Sequence, residues 1–276
     1  MRIARFSHHD EVSYGLIVNA DAAGAGDGVA ANGSSELVVA QIAGHPFGGT
    51  PDDLQLTGAR HALSEVQLLA PILPSKVVCI GKNYADHVEE MGGDRPPSEP
   101  VIFLKPSTAV CGPGDPIRRP VGISERVDYE GELAVVIGRV CSEVPVSRVP
   151  EVVFGYTCAN DVTARDLQAK DGQWTRAKGF DTFCPLGPWI ETDLDPADLA
   201  LVTRLNDEVK QQSRTSMLIH GVGVIIAFVS QVMTLLPGDV VLTGTPGGIG
   251  PMDKGDEVSV TIEGIGVLSN PVADRD

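Results

Sequence analysis

Short apolar runs rich in β-branched residues recur along the chain from about residue 71 onward, and residues that include Gly and Pro separate them. Runs of this length and composition predict β-strands. Few helical segments lie between them, so the pattern predicts a β-dominated α+β domain rather than a doubly wound sheet. The runs are KVVCIG, PVIFLK, ELAVVIG, VVFGYTCA, LVTRL, DVVLTG and EVSVTI.

Two segments have the pattern of helices. Residues 83–91 form one, with Asn83 as a plausible N-cap and Asp86 three residues later in a capping-box position. Residues 219–236 form the other, which Pro-Gly ends, and its polar residues favour a buried helix over a membrane span. Residues 205–209 are typical of a hairpin turn.

The first 70 residues form a lighter unit than the remainder of the chain. MRIARF and VSYGLIV can pair as strands, and the stretch DAAGAGDGVAANGSS that follows is too poor in large apolar groups to fold tightly. From Pro71 onward, short apolar runs become frequent. We therefore predict a small N-terminal β-containing domain over residues 1–70 and a larger domain over residues 71–276.

Charge and cysteine content narrow the class of protein. The 276 residues carry a net charge of −16 with a pI near 4.7, which argues against nucleic acid or an anionic membrane as a main partner. The five cysteines lack a C-x-x-C pair, so reduced core cysteines are expected. No apolar signal segment is visible at the N-terminus, and the sequence predicts a cytoplasmic globular protein.

Two glutamates stand at the head of a run that otherwise reads as a buried strand, DYEGELAVVIG. In a strand, Glu130 and Glu132 would point to the same side, with α-carbons about 6.6 Å apart. At that distance the two carboxylates repel each other by roughly 2.5 kcal/mol at an effective dielectric constant near 20. A bound cation would remove that repulsion. The alternative interpretation of the same sequence is a strand end whose glutamates face water.

Asp161 follows a second strand-like run at a polar turn, in GYTCANDVTARDLQ. An isolated Asp here is often only a turn former. Together with Glu130 and Glu132, however, it would supply three oxygen ligands, a set that suits Mg²⁺ or Mn²⁺ better than zinc.

Two further segments offer acid–base and charged groups. His87 and Glu90 are neighbours on one face of the first predicted helix, where a carboxylate can orient a histidine as a general base; a chance pairing on an exposed face is the alternative. Lys178 lies in QWTRAKGFDTFCPLGPW, where it could stabilise a developing enolate or simply face solvent.

The glycine-rich stretch LTGTPGGIG contains Thr243 and Thr245. A phosphate-binding P-loop needs a lysine before the Ser or Thr, and this stretch has none, so that hypothesis is rejected. A turn that presents amides and a threonine hydroxyl to a carboxylate remains open.

Six motifs in this order resemble the fumarylacetoacetate hydrolase family, and the resemblance runs from about Lys76 to Val272. They are GKNYADHVEEMG, PVIFLKPSTA, EGELAVVIG, NDVTARDLQ, TRAKGFDTFCPLGP and LTGTPGGIG. The whole chain most closely resembles bacterial members labelled 2-hydroxyhepta-2,4-diene-1,7-dioate isomerases, which have a small N-terminal domain. The resemblance implies a mixed β-sandwich roll with few helices and a homodimer.

The resemblance also implies roles for individual residues. The metal ligands would be Glu130, Glu132 and Asp161. The lid dyad would be His87 and Glu90, the catalytic lysine Lys178, the substrate-contacting positions Gln168 and Thr245, and a supporting position Arg165. Larger animal members have a further acidic ligand before the lid histidine, and GKNYAD offers none at residues 81–85. Three protein ligands are therefore expected.

The activity implied is that of a divalent-metal enzyme acting on a 2-oxo acid or its enol through an enolate. Isomerisation or decarboxylation of the 2-hydroxyhepta-2,4-diene-1,7-dioate type is favoured. Hydrolysis of an acylpyruvate C–C bond and decarboxylation of oxaloacetate are the alternatives. The His87–Glu90 pair keeps hydrolysis open, because it could activate water. A non-catalytic protein that binds a metal or a small acid is a minor alternative.

Overall fold

The computed structural model describes residues 1–20, 37–47, 54–93 and 95–275. The predicted loop at residues 21–35 lies outside these residues. The strands are β1 (Arg2–His8), β2 (Glu11–Asn19), β3 (Leu37–Ile42), β4 (Leu56–Ala62), β5 (Gln67–Leu69), β6 (Val77–Gly81), β7 (Val101–Lys105), β8 (Val110–Cys111), β9 (Ile117–Arg119), β10 (Val127–Tyr129), β11 (Gly131–Ile137), β12 (Val153–Asn160), β13 (Thr163–Ala164), β14 (Cys184–Glu191), β15 (Ala200–Leu205), β16 (Glu208–Arg214), β17 (Val240–Leu242), β18 (Gly250–Pro251), β19 (Glu257–Ile262) and β20 (Gly266–Asp274). The α-helices are α1 (Ala85–Glu90), α2 (Arg165–Asp171), α3 (Thr175–Lys178) and α4 (Val222–Val232).

Three sheets organise the described residues. The largest is mixed, with the strand order β4-β3-β2-β1-β14-β12-β11-β17-β6-β7, and β5 and β8 join it at β1 and β14. A five-stranded sheet has the order β16-β15-β19-β20-β9, and a small three-stranded sheet has the order β13-β10-β18. This confirms the β-dominated fold and each of the seven strand runs predicted from residue 71 onward.

Apolar clusters cover both faces of the large sheet at β11. The side chains of Leu133, Val135 and Ile137 on β11 pack in one cluster with Leu201 of β15 and with residues of β19, β20 and α4. The alternate β11 residues, Ala134 and Val136, pack in a second cluster on the opposite face. Because both faces of β11 are covered, its sequence is continuously apolar rather than alternating.

The N-terminal strands continue the large sheet. As predicted, β1 and β2 pair antiparallel, and β1 also pairs with β14 through Arg2 opposite Glu191 and Ile3 opposite Ile190. These strands enclose a separate small apolar cluster centred on Phe6 and Val39. The division of the chain at residue 70 stays a prediction.

The helix boundaries differ from those predicted. Helix α1 begins at Ala85, and Asn83 does not cap it. The side-chain amide of Asn83 instead donates to the carbonyls of His220 and Thr243 and accepts from the His220 N–H, so its hydrogen bonds go to other segments. Asp86 accepts from the adjacent His87 N–H. The capping-box prediction is therefore wrong.

Helix α4 is shorter than the predicted helix over residues 219–236. It ends at Val232, and Leu235 beyond it forms a bridge with Cys141. The hairpin predicted at residues 205–209 is present as the turn between β15 and β16. All five cysteines are free and buried, as predicted. Among the described residues, no helix has the length and apolar character needed to cross a membrane.

Candidate active site

The pairing of β11 with β12 brings three carboxylates together. Gly131 lies opposite Asn160, and the Asp161 N–H donates to the Glu130 carbonyl at 2.8 Å. Glu130, Glu132 and Asp161 are buried, and their ligand oxygens lie within 4.8 Å of one another. In the described residues this is the only group of three or more His, Cys, Asp or Glu side chains arranged so that they could hold a metal ion.

Lys178 lies between two of these carboxylates. Its ammonium donates to Glu130 Oε2 at 2.8 Å and to Asp161 Oδ2 at 2.7 Å, and the side chain is 2% exposed. Burial disfavours the charged lysine, but the charges of Asp161 and Glu130 outweigh it, so the pKa of Lys178 is raised. The two carboxylates therefore favour the charged form of Lys178. It ends α3, a helix that was not predicted.

Arg165 opens α2, which also was not predicted, and it contacts three polar groups. Its guanidinium pairs with Glu130 Oε1, donates to Asp128 Oδ2 at 2.9 Å, and donates to Gln168 Oε1 at 2.7 Å. Burial would raise the pKa of Glu130, but the charges of Lys178 and Arg165 outweigh burial and lower it. Glu130 is therefore held as a carboxylate.

Glu132 has a different environment. Its Oε2 accepts from the Gly244 N–H at 2.6 Å, and neither of its oxygens has a cationic partner among the described residues. Burial, followed by the charges of Asp161 and Glu130, raises the pKa of Glu132 well above its ordinary value. An all-oxygen donor set with one uncompensated carboxylate fits a hard divalent cation.

Helix α1 places the histidine pair beside this cluster. His87 is buried, with 6% of the residue exposed, and its Nδ1 lies 3.2 Å from Glu90 Oε2. Glu90 also accepts from the Gly248 N–H, at 3.1 Å to Oε1. The carboxylate thus orients the imidazole and fastens α1 to the glycine-rich segment.

The glycine-rich segment, residues 244–248, presents backbone amides to carboxylates, as the sequence suggested. The carboxylates are side chains of the protein itself. The Gly244 N–H donates to Glu132, and the Gly248 N–H donates to Glu90. The Thr245 hydroxyl donates to the Gly131 carbonyl at 3.0 Å. Gly248 has a φ of +98°, and a Cβ there would lie 2.1 Å from the Lys210 carbonyl oxygen, so this turn requires glycine.

A cavity of about 300 Å³ opens above the carboxylates. Of the nine predicted site residues, only Glu90 is not part of its lining. The remaining lining combines apolar and aromatic side chains with one lysine at the rim. The predicted residues in the lining are His87, Glu130, Glu132, Asp161, Arg165, Gln168, Lys178 and Thr245; the others are Ile80, Gly81, Lys82, Met91, Phe103, Ala169 and Trp174.

Several residues of the site were missed in the sequence. Lys105, fully buried, donates to Asp161 Oδ1 at 2.5 Å. Gln211 on β16 accepts from the Gly131 N–H at 2.9 Å and donates to Thr245 Oγ1 at 2.8 Å. The sequence did contain a signal for Lys105. It is a charged residue at the end of the apolar run PVIFLK, just as the glutamates are charged residues at the start of the apolar run of β11. No comparable signal marked Gln211.

Two family models together match most of the chain. Residues 76–273 match the family model described as fumarylacetoacetate (FAA) hydrolase C-terminal, and residues 1–71 match the one described as Rv2993c-like, N-terminal. The chain therefore belongs to the fumarylacetoacetate hydrolase family and is an enzyme of its isomerase, decarboxylase or hydrolase type.

Two curated relatives are similar over most of the chain. Protein Rv2993c of Mycobacterium tuberculosis is 57% identical over 275 residues, which are 99% of this chain and 98% of that protein. Oxaloacetate tautomerase YisK of Bacillus subtilis is 41% identical over 235 residues, which are 80% of this chain and 78% of the relative.

Two solved structures resemble the chain over its full length and theirs. One is 5-carboxymethyl-2-hydroxymuconate delta-isomerase from Mycobacterium smegmatis, with a TM-score of 0.86 and 52% identity. The other is maleylpyruvate hydrolase from Sphingobium sp. SYK-6 in complex with manganese(II) ion and pyruvate, with a TM-score of 0.77 and 30% identity.

Proposed function

We propose that this protein is a divalent-metal-dependent enzyme that moves a proton at C3 of a 2-oxo acid or its enol. The favoured activity is isomerisation or decarboxylation of the 2-hydroxyhepta-2,4-diene-1,7-dioate type. The observation that carries this proposal is the buried cluster of Glu130, Glu132 and Asp161, in which Glu132 has no cationic partner among the described residues. The cofactor is Mg²⁺ or Mn²⁺, held by these three carboxylates.

Each group of residues at the site would have its own role in the reaction. A divalent cation bound there would polarise the 2-oxo group and favour loss of a C3 proton. Lys178, a cation at the cavity floor, would stabilise the negative charge that develops on the substrate oxygen. His87, oriented by Glu90, would accept or return the proton, and the cavity walls would limit access of water.

Names of similar proteins support this class of chemistry. An isomerase of a hydroxymuconate at 52% identity and an oxaloacetate tautomerase at 41% identity are both named for the rearrangement of an acid rather than for its cleavage. We extend that shared chemistry to this chain as part of the proposal. A homodimer and a cytoplasmic location are proposed with it, on the resemblance to the family.

Hydrolysis of an acylpyruvate C–C bond is the second candidate. The observation that favours it is the His87–Glu90 pair beside the cavity, which has the arrangement needed to activate a water molecule. The hydrolase from Sphingobium, whose structure contains manganese and pyruvate, lends it support. Oxaloacetate decarboxylation needs the metal and Lys178 but no activated water.

A substrate panel with Mg²⁺ or Mn²⁺ tests these activities. It contains 2-hydroxyhepta-2,4-diene-1,7-dioate, oxaloacetate and acetylpyruvate, with a chelated control, and products are identified by NMR. Conversion of 2-hydroxyhepta-2,4-diene-1,7-dioate supports the favoured activity. Loss of CO₂ from oxaloacetate supports the decarboxylase alternative, and acetate from acetylpyruvate supports the hydrolase. Glu130→Gln should abolish turnover, whereas the exposed Glu257→Gln on β19 should not. Turnover that survives chelation, or none with any substrate, would overturn the proposal.

A further inference from the structure

Lys82 combines three unusual features at the rim of the cavity. It lines the cavity and is exposed, and among the described residues no carboxylate pairs with its ammonium. Its φ is +58°, in the left-handed region that a residue with a side chain seldom adopts. Such outliers persist where the surroundings fix them, and they cluster at ligand-binding sites.

Its neighbours fix this conformation from both sides. A Cβ at Gly81 would lie 2.6 Å from the Trp174 ring, so the backbone before Lys82 lies directly against that ring. The Asn83 side chain after it makes three hydrogen bonds to the His220 and Thr243 backbones. The base of the lysine is therefore rigid, while its ammonium is free of protein partners in the described residues.

An aromatic wall connects the floor of the cavity with this rim. The Lys178 ammonium lies 5.0 Å from the centroid of the Phe103 ring. The Phe103 and Trp174 rings meet edge to face, with 5.1 Å between centroids, and Trp174 then contacts the Gly81 backbone. A chain of contacts through two aromatic rings thus leads from Lys178 to the backbone beside Lys82.

The charges of the cluster leave Lys82 unmatched. Glu130 and Asp161 pair with Lys178, Lys105 and Arg165, and Asp128 pairs with Arg165 and Arg126. With Glu132, which contacts no cation among the described residues, the four negative charges equal the four positive ones. A divalent cation would then match the carboxylate of a 2-oxo acid and the negative charge that develops on its 2-oxygen. Only a further anionic group of the substrate would match the charge of Lys82.

We propose that Lys82 is a specificity-determining residue that binds the second carboxylate of a dicarboxylic 2-oxo acid. The carbon chain of this substrate lies along Phe103 and Trp174. Because the contacts from Lys178 to the backbone beside Lys82 run through two rings, we infer a substrate longer than the four-carbon oxaloacetate. This inference rests on the proposed function for the placement of the 2-oxo end of the substrate.

Binding of two seven-carbon acids tests the inference. We would measure by calorimetry, with Mn²⁺ present, the dissociation constants of 2-oxoheptanedioate and 2-oxoheptanoate, which differ only in the second carboxylate. The wild type should bind the dicarboxylate up to about 5-fold more tightly, the size expected of one exposed ion pair. Lys82→Met keeps the length of the side chain and should abolish this preference without weakening 2-oxoheptanoate. Lys82→Arg should retain it.

The control variant is Lys254→Met, at an exposed lysine outside the cavity lining. A preference that persists in Lys82→Met overturns the inference, as does a wild type that binds both acids equally or binds neither while still binding pyruvate. Equal loss of both acids in Lys82→Met would show a structural defect and also overturns it. Failure of the proposed function has a different signature: the wild type would then bind no 2-oxo acid at all, pyruvate included.

Discussion

The Lys105 ammonium donates to Asp161 Oδ1 at 2.5 Å, and neither side chain is exposed to solvent. Lys105 also donates to the Val162 carbonyl at 3.1 Å. Asp161 thus has a lysine at each oxygen, since Lys178 occupies Oδ2. The pair comes from strand β7 and from the end of β12, two segments that are distant in the sequence.

Replacing Lys105 should therefore destabilise the metal-free protein. Lys105→Met leaves Asp161 with one cation, and breaking a buried pair costs about 3–5 kcal/mol. A divalent cation should restore part of this loss, because it offers Asp161 a new partner. Urea unfolding with and without Mn²⁺ measures both effects. Lys254→Met is the control, and a Lys105→Met protein as stable as the wild type would contradict the assignment.

Glu132 predicts a pH-dependent effect of metal on stability. Because its pKa in the folded protein lies above the ordinary value of 4.5, ionising it opposes folding. Its contribution to stability without metal therefore falls as the pH rises above about 4.5. A bound divalent cation favours the ionised form, so the rise in Tm on adding Mn²⁺ should grow with pH over the same range.

The Glu130 pKa shifts in the opposite direction, so the effect of Glu132 has to be isolated. Thermal melts of the wild type and of Glu132→Gln from pH 4.5 to 8 make this comparison. The variant should lose most of the Mn²⁺ stabilisation and its pH dependence. The same Tm shift at every pH in both proteins would disprove the role of Glu132 as a ligand.

Helix α1 offers a matched pair of variants for the histidine pair. Glu90→Gln removes the charge that orients His87 but retains an oxygen for the Gly248 N–H. We expect kcat to fall about 10² to 10⁴-fold, the usual contribution of a positioned acid–base group, with little change in metal affinity. The neighbouring exposed Glu89→Gln should have neither effect. An unchanged kcat in Glu90→Gln would exclude the pair from catalysis.

Gly131 lies between two metal-ligand candidates in a place with no room for a side chain. A Cβ there would lie 2.0 Å from Thr203 Oγ1, a buried hydroxyl that lacks a hydrogen-bond partner among the described residues. Gly131→Ala should destabilise the protein by about 1–3 kcal/mol, as overpacking does. It should also weaken Mn²⁺ binding, because β11 would have to shift.

Removing the clash should reverse these losses. Thr203→Ala deletes an unpartnered hydroxyl together with one buried methyl group, and should cost about 1 kcal/mol by itself. In the double variant the nearest atoms to the new Cβ would be those of Gln211 and the residue 203 Cβ, at 3.3 Å, so partial recovery is expected. Chemical denaturation of the four proteins gives the coupling energy. Additive effects would disprove the steric explanation.

Sequence pattern was enough to predict the main strands and the kind of chemistry, but not helices α2 and α3. The apolar runs predicted the strands, because a strand with two covered faces, such as β11, must be apolar throughout. Carboxylates at Glu130 and Glu132 within such a run indicated a partner, since buried charges are paired or bind metals. Eight of the nine predicted site residues line one cavity, and the ninth contacts His87.

Which groups from distant parts of the sequence complete the site could be seen only in the folded structure. Asn83 looked like a helix cap, but its amide bonds to the His220 and Thr243 backbones, which local pattern cannot foresee. Lys105 on β7 contacts Asp161, and Gln211 on β16 contacts the Gly131 N–H between the two glutamates. The order of strands in the sheets sets those contacts, and it depends on packing between segments far apart in the chain, whereas sequence pattern reports only on neighbours.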